Sequence, residues 1–164
     1  MKIAKIALAM VLGSATLAVA QTAAPAPAGK VHIYDTQADA KADIAAALKQ
    51  ARAQHKRVIL DFGGNWCGDC IVLDQTFHSP ENQALIDKYF VVVHVDIGRF
   101  DKNVDVADKY EVPIKKGVPA LAVVDAHGKL IYAQKNGEFE SMRRMDPSSV
   151  GQFLEEWKPA GKSA

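Results

Sequence analysis

Two periods of apolar and polar positions divide the chain from residue 31 to residue 160, and each period predicts a different kind of element. Val31-His32-Ile33-Tyr34 alternates and predicts a short edge strand. Ala38 to Gln54 is rich in good helix formers, and Ile44, Ala47, Leu48 and Ala51 recur at helical spacing. A helix is expected there, with Asp35 or Thr36 as its cap. Arg57 to Phe62 is a nearly continuous apolar run, the pattern of a central strand buried on both faces, interrupted by Asp61. Gly63-Gly64-Asn65 breaks it. Helices are predicted from Cys67 to about Phe77 and from Pro80 to about Tyr89, the second with Ser79 as cap and Pro80 at its first position. Phe90 to Val95 reads as another buried strand, and Asn103 to Tyr110 as a short helix. Pro119–Asp125 and Lys129–Gln134 are predicted strands joined by the turn residues Asp125 to Gly128. Asp146-Pro147-Ser148 opens a last helix that ends near Trp157, with Val150, Phe153, Leu154 and Trp157 on its apolar face. The order β-α-β-α-β-α-β-β-α predicts an α/β sandwich with a mixed sheet flanked by helices.

The beginning of the chain carries a different signal. Lys2 and Lys5 precede an apolar stretch from Ile6 to Ala20, and Ala18-Val19-Ala20 is a small-x-small cleavage site before Gln21. The stretch is short for a bilayer span of about 20 residues. Residues 1–20 are therefore expected to be a signal peptide removed on export to the periplasm. Gln21 to Lys30 is Ala- and Pro-rich and reads as a linker. That leaves one domain over residues 31–160. A formal net charge of +1, with 24% charged residues, offers no excess of charge for nucleic acid or an anionic membrane surface.

The chain has 2 cysteines, Cys67 and Cys70, so only one intramolecular pair exists. They lie where a strand ends and a helix begins. At a helix N-terminus, unpaired N–H groups and the positive end of the dipole favour a thiolate, the reactive form of cysteine. Cys67 could attack a disulfide, and Cys70 could then resolve the mixed disulfide. Two rivals stay open at this level. One is half of a zinc site, which would need two ligands from His32, His55, His78, His94 or His127; no two of these have the H-x₃₋₅-H spacing of such sites. The other is an inert structural bridge.

The stretch RVILDFGGNWCGDC resembles the strand-to-motif junction of thioredoxins, and GVPALAVVDAHGKLI resembles the superfamily segment that carries a cis-proline followed by a strand hairpin. The resemblance spans roughly Lys30 to Lys158. The leading helix and Thr76-Phe77-His78-Ser79-Pro80-Glu81 resemble exported members such as the C-terminal domain of the interchange protein DsbD. The resemblance implies a thioredoxin fold with an extra N-terminal helix and a thiol–disulfide oxidoreductase activity. It implies that Cys67 is the exposed nucleophile, Cys70 the buried resolving thiol and Asp61 a buried acid that takes a proton from Cys70. Trp66, Gly68, Asp69, Val118 and the cis-proline Pro119 would then face the substrate. Burial should raise the Asp61 pKa. His94, in the next strand, either modulates Asp61 or is an ordinary satisfied histidine.

The chain departs from the family pattern at three places. Asp69 replaces the proline of the common Cys-Gly-Pro-Cys loop; its charge beside the Cys67 sulfur should disfavour the thiolate and tilt the couple towards reduction. The loop from Tyr110 to Gly117 and the connection from Asn136 to Met145 are both longer than usual. Lys115, Lys116, Arg143 and Arg144 in them read as solvated surface charge. The function expected is reduction of protein or peptide disulfides by a monomer without a bound cofactor or metal, recharged by a membrane electron donor of DsbD type. The alternatives are an oxidase or isomerase of the same fold and a metal-binding module built on the two cysteines.

Overall fold

The computed structural model describes residues 32–160; the signal peptide expected at 1–20, the linker at 21–30 and Val31 lie outside them. The helices are α1 (Ala40–Gln54), α2 (Gly68–Phe77), α3 (Pro80–Tyr89), α4 (Val104–Lys109) and α5 (Ser148–Trp157). The strands are β1 (Arg57–Gly63), β2 (Phe90–Asp96), β3 (Ala120–Val124) and β4 (Leu130–Ala133). They form one mixed sheet in the order β2-β1-β3-β4, with β1 and β2 parallel and the β1–β3 and β3–β4 pairs antiparallel.

Burial explains why β1 is central. Val58, Leu60 and Phe62 point to one face, where they join Ile44, Ala47 and Ala51 of α1 and Val106 and Ala107 of α4. Ile59 points to the other and joins Leu121 and Val123 of β3, Leu73 and Phe77 of α2, and Val150, Phe153 and Leu154 of α5. A strand with helices on both faces must be apolar on both faces, as the RVILDF run is. The two half-cores sandwich the sheet, the expected architecture.

Local chemistry sets the boundaries. Asp39, not Asp35 or Thr36, caps α1: its Oδ1 accepts from Lys41 N at 3.0 Å and Ala42 N at 3.1 Å. Asp35 instead accepts from Gln37 N and shapes the preceding turn. Ser79 and Pro80 open α3 as expected. The two long connections are packed. Ile114–Lys116 and Met142–Arg144 are short 3₁₀ turns, and Ile114, Phe139 and Met142 are buried.

The edge strand expected at Val31–Tyr34 does not form among the described residues. Ile33 N and Tyr34 N both donate to Asn65 Oδ1, at 2.9 and 3.0 Å, and Asn65 Nδ2 donates to Tyr34 O at 2.7 Å. Alternation over so short a stretch says which side chains are buried, not what satisfies the backbone; here one side-chain amide does so. The same amide ties the start of the domain to the loop that leads into Trp66 and Cys67. Replacing Asn65 with Ala removes all three bonds. Urea unfolding of the oxidised protein should show a loss of about 1–3 kcal/mol.

Candidate functional site

The site is built on the junction of β1 and α2. After Gly63 the chain turns, and Cys67 N donates to Gly64 O at 2.9 Å. Cys67 has extended backbone angles and caps α2: its Sγ accepts the N–H of Cys70 at 3.1 Å. The sulfur therefore occupies the anion position at the start of the helix, where a capping oxygen would ordinarily sit. Cys67 and Cys70 are joined as a disulfide with their Cα atoms 5.2 Å apart. Cys70 is fully buried, as expected. Cys67, expected to be exposed, is only 6% exposed, because its sulfur is packed 3.5 Å from the Val118 carbonyl oxygen.

That contact comes from the segment leading into β3, the strand beside β1. The Val118–Pro119 peptide is cis. Gln134, buried after β4, accepts from Leu121 N at 3.0 Å and donates to Pro119 O at 3.4 Å, which fixes the start of β3. On the other flank the Trp66 indole donates to Gly98 O at 2.6 Å. Its ring lies 5.5 Å from that of Phe100, with the Arg99 guanidinium 5.0 Å from the indole centroid. Trp66 and Phe100 are the large apolar side chains left open to solvent among the described residues, both 39% exposed. Sequence reasoning finds Trp66 and misses Phe100, which nothing local distinguishes from a core residue.

Behind the sulfurs lies a buried polar group of three side chains. Asp61 is completely buried. Its Oδ2 accepts from the Tyr34 hydroxyl at 2.8 Å and lies 2.9 Å from His94 Nδ1, while Oδ1 is buried without a hydrogen-bond partner. Asp61 and His94 meet because they are register partners in the parallel β1–β2 ladder. His94 Nε2 is 3.8 Å from Asp74 of α2. Burial pulls the imidazole pKa down, but the Asp61 hydrogen bond, its charge and that of Asp74 outweigh this, and His94 titrates above its usual range. His94 thus touches Asp61, a contact that both readings of this histidine allow. The link from Tyr34 to Asp61 escapes sequence reasoning, which places Tyr34 in an edge strand. The bond spans 27 residues and carries no local signal.

Asp69 is not the free charge that the sequence suggests. Its Oδ1 accepts from Arg143 N at 2.9 Å and Nε at 3.2 Å, and its Oδ2 from Nη2 at 2.9 Å. The guanidinium lies over Gly68, its Cζ 3.6 Å from where a Cβ would be. The Arg143 side-chain hydrogen bonds hold the Asp69 carboxyl below the usual carboxylate range, against the opposing effect of burial. The repulsion expected between Asp69 and a Cys67 thiolate is thus offset by a cation fixed beside it. Lys115, Lys116, Arg143 and Arg144 are all exposed, as expected of solvated charge; what the sequence does not reveal is that Arg143 also pairs with Asp69. Among the described residues no three His, Cys, Asp or Glu side chains gather in a group that could hold a metal ion. No helix among them is long and apolar enough to cross a membrane.

A family model described as thioredoxin-like matches residues 39–126, from the cap of α1 through both cysteines and Pro119 to the turn after β3. The crystal structure of a disulphide isomerase from Xylella fastidiosa Temecula1 is 38% identical, with a TM-score of 0.74, over 78% of this chain and 98% of that one. The thiol:disulfide interchange protein DsbD of Pseudomonas fluorescens is 27% identical over 128 residues, which is 77% of this chain and 20% of the relative. Mouse thioredoxin is 33% identical over 94 residues, 57% of this chain and 75% of the relative. The chain spans about a fifth of the length of the DsbD relatives it matches, 20% and 21% for two of them.

The Asp69–Arg143 pair has a defined pH signature. A carboxyl whose folded pKa is depressed stabilises the fold above its unfolded pKa, and that contribution is lost as pH falls through the depressed value. Arg143→Ala should raise the Asp69 midpoint towards the ordinary carboxylate range, read by carbon NMR of the side-chain carboxyl. In the reduced variant, the ultraviolet absorbance of the Cys67 thiolate should appear at higher pH than in the wild type.

Proposed function

The chain belongs to the thioredoxin-like family, and from that premise we propose that it is an exported, periplasmic thiol–disulfide oxidoreductase that reduces protein disulfides through Cys67 and Cys70. The observation that carries the reading is the Cys67 sulfur as the N-cap of α2, with Cys70 buried one turn behind it.

In the reduced protein the first-turn N–H groups and dipole of α2 stabilise the Cys67 thiolate. It attacks one sulfur of the substrate disulfide, and the other sulfur leaves as a thiolate. Cys70 then loses its proton and attacks Cys67 Sγ. The Cys67–Cys70 bond forms, the bond from Cys67 to the substrate breaks, and two electrons have passed to the substrate. Asp61 is the acceptor for the Cys70 proton, with His94 holding it in place. Trp66, Gly68, Asp69, Val118 and Pro119 form the docking rim, and the Val118 backbone binds an extended substrate segment. The dithiol itself cycles, so no bound cofactor is needed. The protein acts as a monomer, and a membrane donor of DsbD type restores the electrons.

The buried acid serves the dithiol in either direction, because loss of the Cys70 proton on oxidation and its return on reduction are one step reversed. A second reading, disulfide isomerisation, is favoured by the relative from Xylella fastidiosa, which is named a disulphide isomerase. Isomerisation can turn over through Cys67 alone, so the two readings separate on Cys70.

Cys67→Ser should abolish reduction of insulin by the dithiothreitol-reduced protein. Cys70→Ser should attack once and accumulate as a mixed disulfide. Equilibration with glutathione should place the couple nearer about −270 mV, as in thioredoxin, than about −120 mV, as in DsbA. A couple near −120 mV would exclude the reductant. Faster repair of scrambled ribonuclease than of insulin, kept in Cys70→Ser, would establish the isomerase instead. Terminal sequencing of the protein from a periplasmic extract should begin at Gln21; an uncleaved chain in the cytosol would exclude export.

A further inference from the structure

Cys70 poses a problem that Asp61 does not solve alone. Cys70 is fully buried in the disulfide form, and a thiol in that place has no direct exit to solvent for its proton. Asp61 reaches neighbours through Oδ2, where it is already engaged by Tyr34 and His94. The Tyr34 hydroxyl is bonded to the carboxylate and shares with the Cys70 sulfur the space beside Gly63.

Gly63 shows this. It lies two residues after Asp61 in β1 and so shares its face of the strand. A Cβ at residue 63 would sit 2.3 Å from the Tyr34 hydroxyl oxygen and 2.8 Å from Cys70 Sγ. The hydroxyl and the sulfur therefore face each other across the space that the missing side chain leaves. Gly63 is not among the residues with positive φ, so its backbone conformation does not demand glycine; the approach of these two atoms does. Tyr34 is itself held from both sides of its peptide by Asn65, two residues before Cys67. Its ring is buried and meets the His94 ring edge-on at 5.5 Å.

We infer that Tyr34 relays the Cys70 proton to Asp61 in the resolving step. A phenol hydroxyl has one proton to give and lone pairs to accept another. It donates to Asp61 Oδ2 in the oxidised protein. When Cys70 is a thiol, the Tyr34 oxygen takes its proton as the phenol proton passes to the Asp61 carboxylate. Tyr34 stays neutral throughout. Cys70 Sγ then forms its bond to Cys67 Sγ, and the substrate sulfur leaves with the electron pair and is protonated by water. The ionisable groups around the phenol are Asp61 on β1, His94 and Asp96 on β2, and Asp74 on α2; Lys102 pairs with Asp96 at 3.5 Å. Burial and the three carboxylates hold the phenol well above its usual pKa, which suits a relay and excludes a resident phenolate. This inference rests on the reading of Cys67 and Cys70 as a cycling dithiol.

The test uses the full mature protein and an aromatic disulfide that releases a coloured thiolate. Reduced protein should release it twice, first on attack by Cys67 and then on resolution by Cys70. Tyr34→Phe keeps the ring and removes only the hydroxyl. The first release should stay within about twofold of wild type, while the second slows by at least about tenfold and its pH profile moves to the alkaline side. Asp61→Asn should slow the same step, and the double variant should be no slower than the slower single one. A second release with unchanged rate and pH profile in Tyr34→Phe would overturn the relay. Failure of the wild type to release twice would instead remove the dithiol reading beneath it. Should the variant not fold, the ring carbon bearing the Tyr34 hydroxyl can be followed by NMR in reduced wild type. It should respond to ionisation of the Cys70 thiol, followed by its ultraviolet absorbance, and a flat response would overturn the proposal.

Discussion

A sulfur in the N-cap position of α2 is the interaction on which the other features of the site depend. The cap is normally an oxygen whose lone pair satisfies a free N–H of the first turn. Here Cys67 Sγ takes the Cys70 N–H, and the same geometry places the two sulfurs within bonding reach. The strand β1 makes this placement stiff. It is buried on both faces and hydrogen-bonded on both edges, so the turn that follows it starts from a fixed point. In the segment leading into β3, the cis Val118–Pro119 peptide and buried Gln134 fix the carbonyl that faces Cys67.

A buried carboxylate with an unpartnered oxygen is expensive: an unsatisfied buried polar atom costs about 1–3 kcal/mol, more when it is charged. Asp61 carries such an oxygen at the centre of the sheet. Stability alone would favour an apolar residue between Leu60 and Phe62. Tyr34 and His94 offset part of the cost through Oδ2. His94 has its own pH dependence from this contact. Its raised pKa means that the His94–Asp61 attraction is complete below the unfolded histidine pKa and fades as pH rises through the folded one.

The connection between β4 and α5 changes the electrostatics of the motif without touching the sulfurs. Phe139 and Met142 anchor it in the second half-core, and that anchoring presents Arg143 to Asp69. Asp69 thereby gains a partner in place of a clash, and the guanidinium covers Gly68. A carboxylate paired in this way repels a Cys67 thiolate less than a free one would.

Much of this is legible in the chain itself. The apolar runs of β1 and β2, the periodic face of α1 and α5, the Ser79-Pro80 helix start and the Cys67–Cys70 spacing are local signals. Each appears where it is expected because a strand, a helix turn or a cap is decided within a few neighbouring residues. The exceptions are contacts between distant segments. Tyr34 reads as part of an edge strand, yet Asn65 takes its backbone and Asp61 its hydroxyl. Arg143 reads as solvated charge, yet it closes on Asp69 across 74 residues. The contact of His94 with Asp61 is set by strand register. Residue type and spacing determined which groups could do chemistry. Only the docking of α1, β2 and the 136–145 connection onto the β1–α2 junction decided which of them touch, because a hydrogen bond depends on distances that sequence separation does not encode.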